Sequence, residues 1–100
     1  MSPKFLPIPG THRQAPATGA AQTLAAAGVT LDGNAEVLSV QARTTDIVYT
    51  VDRETAPTAS LGFVLRESDP PLLLSAAEAA NLRFLSAGGS GTLETCQYHS

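Results

Sequence analysis

Short runs of β-branched, aromatic and aliphatic residues recur along this chain at intervals of about 8–12 residues, each closed by Gly, Pro, Asp, Asn, Ser or Thr. No other feature restricts the fold as strongly, because runs this short and this regularly interrupted suit strands and not long helices. The stretch 47–65 shows it best. Ile47-Val-Tyr-Thr-Val51 has the composition that suits a pleated, half-buried surface. Asp52 to Ser60 follows, with Thr55, Pro57, Thr58 and Ser60 supplying the turn chemistry and the side-chain partners for their own backbone. Gly62-Phe-Val-Leu65 then resumes extended structure. The expectation is strand, ordered loop, strand.

Upstream, Pro3, Pro7, Pro9 and Pro16 each remove a backbone donor and push the preceding residue toward extended geometry, which predicts an extended N-terminal arm over residues 1–18. Phe5, Leu6 and Ile8 make that arm apolar and are its candidate partner-binding residues. Three fates are open to it: docking on a neighbour, a disordered tail, or folding against its own domain. The domain proper is expected over 19–100. A first strand is expected near Gln22 to Ala26, followed by turn chemistry from Gly28 to Asn34.

Glu36 to Arg43 alternates with a period of two, placing Leu38 and Val40 in the core, and Thr44 to Asp46 is short enough to predict a hairpin with the strand at 47–51. Leu72 to Leu74 is a further short strand. Ser75-Ala-Ala-Glu78 has the spacing of a helical capping box and predicts one helical turn ending at Asn81. Leu82 to Ser86 and Thr92 to Tyr98 then read as a hairpin joined by Ala87-Gly-Gly-Ser-Gly91. Six or seven strands of this kind predict an all-β single domain, a small antiparallel β-sandwich or barrel of immunoglobulin-like or jelly-roll-like arrangement.

One hundred residues leave room for one core, and with Trp absent it must be built from Leu, Val and Ile. Charged residues are 15% of the chain, against about 25% in an ordinary domain, and so sparse a surface charge is easiest to understand if a partner covers part of it. A net charge of -3 with six scattered Lys and Arg argues against nucleic-acid binding. The longest apolar runs, Leu24 to Ala27 and Leu72 to Leu74, are far short of the ~20 residues of a membrane-spanning helix. The three prolines before residue 10 break any continuous apolar core of a secretory signal.

No constellation of residues points to catalysis, and the chain is expected to need no cofactor. His12 and His99 lie at opposite ends without metal-ligand spacing, and both are expected to be solvent-exposed. The single Cys96 excludes an internal disulfide and alternates with Glu94 and Tyr98, which predicts a buried inert thiol. The Gly-rich run at 87–91 lacks the Lys and helix of a phosphate loop. Asp46, Asp52, Glu54, Glu67 and Asp69 flank the central loop, but their spacing matches no calcium loop and suits solvated turn carboxylates.

The order Asp46-Ile-Val-Tyr-Thr-Val-Asp52, Ala56-Pro-Thr-Ala-Ser-Leu-Gly62, Leu72-Leu-Leu74, Asn81-Leu-Arg-Phe-Leu85 and Gly91-Thr-Leu-Glu-Thr-Cys-Gln-Tyr98 resembles a group of small proteins encoded among the head and tail genes of tailed bacteriophages. The likeness covers about residues 35 to 98 and departs at Arg53, where the group usually has Gly. It implies a non-enzymatic virion component assembled in the host cytoplasm: a capsid decoration or cement protein, or a small head–neck part. The implied partners are the major capsid protein, other virion proteins and copies of itself in a homo-oligomer, with no direct nucleic acid and no membrane. The Tyr49-Thr-Val-Asp52 and Pro57-Thr58 core is also similar to accessory β-sandwich modules of chitin-degrading enzymes, and a tail-associated or carbohydrate-binding adhesion module is the alternative. With no Trp, only Tyr49, Phe63 and Tyr98 offer sugar platforms.

Overall fold

The computed structural model describes residues 8–99, in which the period-two patterning becomes eight strands and one helix. These are β1 (Ile8–Thr18), β2 (Gln22–Thr23), β3 (Val37–Arg43), β4 (Ile47–Thr50), β5 (Phe63–Leu65), β6 (Leu72–Ser75), α1 (Ala76–Asn81), β7 (Arg83–Ser86) and β8 (Ser90–His99). One antiparallel sheet has the order β1-β8-β3-β6 and the other β2-β7-β4-β5. Each keeps two edge strands, so the architecture is an open sandwich and the barrel alternative does not hold.

Alternation fills the space between the sheets. Leu38, Val40 and Ala42 of β3, Leu93 of β8 and Ala15 and Ala17 of β1 meet Ile47, Leu65 and Phe84 of the other sheet, while Leu24, Val29, Ala79 and Leu82 complete the cluster. Each large aliphatic so buried contributes about 1.5–3 kcal/mol. Gln97 is the largest of the buried polar side chains, only 1% exposed. Its Oε1 accepts from the Asp32 amide at 2.6 Å and its Nε2 donates to the Thr30 carbonyl at 2.9 Å, tying the 30–32 segment to β8.

Two expected hairpins are corrected. β3 and β4 lie in different sheets, and so do β7 and β8. Short connections serve sheet-crossing corners as well as hairpins, and strand alternation does not distinguish them. Here the two corners pack together: the Ala87 amide donates to the Asp46 carbonyl at 3.0 Å, and the Thr45 and Ser86 hydroxyls bond to each other. A Cβ on Gly91 would stand 2.5 Å from the Thr45 Oγ1, so the glycine run is a packing site. Among the described residues only β4 and β5 are consecutive strands that pair, with Ile47 opposite Leu65 and Tyr49 opposite Phe63, and this is the strand, loop, strand of 47–65.

Of the three fates open to the N-terminal arm, its described part takes the third and folds against its own domain. Residues 8–18 are β1, which pairs with β8 from Ile8 opposite His99 to Thr18 opposite Ser90, with a bulge between Pro9 and His12. Pro is compatible with an edge strand, where its missing donor faces away from the ladder. The boundary expected at residue 18 is a three-residue connection to β2. Phe5 and Leu6 lie outside the described residues. The strand expected at 22–26 shrinks to Gln22–Thr23, because Gly28 adopts φ +89° and the chain turns back there, the Val29 amide donating to the Leu24 carbonyl at 2.9 Å.

The capping box forms as read: Ser75 Oγ accepts from the Glu78 amide at 3.1 Å and Glu78 Oε1 accepts from the Ser75 amide at 2.9 Å.

Candidate interaction surface

Among the described residues, three of the five exposed large apolar side chains, Leu61, Phe63 and Val64, sit together at β5, which locates the least satisfied part of the described surface. They are 50%, 63% and 53% exposed. β5 is an edge: β4 occupies one side of its ladder, and no strand of the described residues occupies the other. Such an edge offers unpaired amides and carbonyls beside apolar side chains.

The local sequence explains its position. Gly62 has φ +133°, and a Cβ there would stand 2.9 Å from the Tyr49 carbonyl oxygen, so glycine lets the chain enter the strand against β4. Leu65 turns into the core and leaves Phe63 at the rim, where its ring lies 5.6 Å from that of Tyr49. Burial, and then the nearby Glu78 carboxylate, push the Tyr49 hydroxyl pKa up.

The loop before β5 is fixed by its own polar residues. Thr50 Oγ1 donates to the Thr55 carbonyl at 2.6 Å, and Asp52 accepts from the Thr55 amide at 2.8 Å and from its hydroxyl at 2.7 Å. Those Thr55 bonds hold the Asp52 carboxyl below the ordinary carboxylate range. Asp46 Oδ1 likewise accepts from the Glu67 amide and Asp69 Oδ2 from the Arg66 amide, both at 2.9 Å. These carboxylates therefore serve the turns. Arg53, at the resemblance's point of departure, takes φ +69°, the left-handed conformation glycine favours, and its Nε donates to Asn81 Oδ1 at 3.1 Å.

A second, polar feature lies on the outer face of the other sheet. Glu94 Oε1 is 2.8 Å from His12 Nε2, and its Oε2 accepts from Gln14 Nε2 at 2.6 Å and Arg43 at 3.1 Å. Bonds from Gln14 first, then His12 and Arg43, hold the Glu94 carboxyl below its ordinary value. His12 is thus a strand residue with a partner, and its side chain is 61% exposed. Cys96, expected to be buried, is half-buried, because Leu93, Thr95 and Gln97 take the inward positions of β8. Among the described residues no three His, Cys, Asp or Glu side chains converge as metal ligands, and no buried side-chain polar atom lacks a hydrogen bond. Of the candidate arm residues only Ile8 is described, 51% exposed in β1, on the opposite edge strand of the other sheet.

Sequence reading placed Phe63 in a strand and missed that it stands at an edge, since pairing order is set by the corners and not by the strand itself. The chain matches no protein-family model, no curated protein and no solved structure.

Proposed function

We propose that this chain is a structural component of a tailed-bacteriophage virion, a decoration or small head–neck protein that binds other virion proteins through the β5 edge. The observation that carries it is the cluster of exposed Leu61, Phe63 and Val64 at the open edge of β5, whose other side pairs with β4. Monomeric proteins usually blunt such edges with charge or cover them, so an uncovered apolar one suits a partner strand or surface. The order of motifs over residues 35–98 supports the viral setting, and the fully satisfied interior suits a rigid body that acts by contact.

The test is incorporation. In particles purified on a density gradient, quantitative mass spectrometry should find the wild-type chain at a fixed copy number. The double variant Phe63→Glu, Val64→Lys should melt within a few degrees of wild type and be depleted at least tenfold from particles. A chain absent from purified particles, or a folded variant incorporated at the wild-type level, overturns the proposal.

A further inference from the structure

We infer that β1 is an exchangeable strand: in a dimer each sandwich is completed by the β1 of the other copy, so that His12 and Gln14 of one chain hold Glu94 of its partner. The proposal is independent of what binds β5.

Four observations lead to it. First, β1 comes before every other described element and is tied through its ladder to β8 alone, so releasing it breaks into no other strand pair. Second, its buried apolar contribution is small side chains, Ala15 and Ala17, whose transient exposure costs far less than exposing a Leu or Phe. Third, only Gly19, Ala20 and Ala21 join it to β2 in the opposite sheet, and short hinges of this kind favour exchange because straightening them carries β1 to a neighbour. Fourth, apart from the Thr18–Ala20 hydrogen bonds within the hinge, the contacts between β1 and the rest of the sandwich are reproduced in the exchanged form. Thr11 Oγ1 donates to Asp32 Oδ2 at 2.9 Å, Thr95 Oγ1 donates to the Arg13 carbonyl at 2.8 Å, and His12 and Gln14 hold Glu94.

The outer edge of β1 favours replacement over addition. Pro16 has no amide to offer, and its carbonyl already accepts from Gln22 Nε2, so this edge is a poor template for an extra strand. What remains to a second copy is to occupy the place of β1 itself. Because closed and exchanged forms share their contacts, their balance depends on the hinge and on the local concentration of copies.

The native Cys96 supplies a direct test. His12 is its register partner on β8, and opposed residues of an antiparallel pair stand about 4.5–5.5 Å apart at Cα, within the reach of a disulfide. His12→Cys at this exposed position should therefore bond to Cys96 on whichever chain supplies β8. The variant is refolded at high protein concentration, oxidised and run on a non-reducing denaturing gel, with peptide mapping of the bands. Exchange predicts a covalent dimer that contains 12–96 bonds only, and a four-residue insertion after Gly19 shifts the product toward monomer. Gln14→Cys, which faces Glu94, should give little dimer. A 12–96 bond confined to single chains, or dimers joined only through 96–96 bonds, overturns the proposal.

Discussion

Glu94 holds three donors on the outer face, and they come from both neighbouring strands: His12 and Gln14 from β1, Arg43 from β3. Its position makes it a clasp across three strands of one sheet. Since its folded-state pKa is depressed, its contribution to stability is present above the unfolded value near 4.5 and is lost as pH falls through the folded value. Glu94→Gln removes the charge and with it this acid sensitivity. Melting temperature followed from pH 7 to pH 3 should fall less steeply for the variant than for wild type, and parallel curves would show that the clasp contributes nothing. The pairing of Glu94 with Arg43 was not legible in sequence, because it depends on β3 lying beside β8, 51 residues away in the chain.

Elements were legible where one local rule governed them. The capping box of α1 is a spacing rule, and it formed as written. Ser75→Ala removes the hydroxyl that accepts from the Glu78 amide and should cost about 1 kcal/mol, read as a fall of about 4–8 °C in melting temperature. An unchanged melting temperature would mean that α1 is held by Ala79 and Leu82 in the core and owes nothing to its cap. Leu38 and Val40 were placed by alternation for the same reason of locality. The corners at 44–46 and 87–89 were not, since the fact that makes them corners is the approach of Thr45 to Gly88 and Gly91 from a distant part of the chain. β1 was hidden by its prolines, which signal irregular chain everywhere except at a sheet edge. The exposed cluster at 61–64 was likewise hidden: a run of Leu, Phe and Val reads as core until the edge is known.

At the scale of the molecule, residues 8–18 belong to the fold. Deleting residues 1–14 removes Ile8 to Gln14, unpairs more than half of the β1 ladder and leaves Glu94 with Arg43 alone of its three donors. The truncated chain should melt at least 10 °C below wild type, a loss of about 2 kcal/mol or more, by circular dichroism. A truncated chain that melts with wild type would return β1 to the status of an appendage. The two open sheets also differ in surface: the apolar cluster gathers at β5 of one, while the other carries a polar face around Glu94, with Ile8 and Leu73 exposed singly on its edge strands.

β8 lies between β1 and β3, and it is the latest of the eight strands to be synthesised. On the ribosome, Ala15, Ala17 and Leu38 must wait for Leu93 before the first sheet has a middle. The second sheet and the β3–β6 pair can form before it, but β1 has no partner strand, so the nascent chain carries an unfinished sandwich until β8 emerges. A chain cut short before β8 therefore leaves β1 and the β3–β6 pair with no strand between them, and the inner apolar face of the second sheet half-covered.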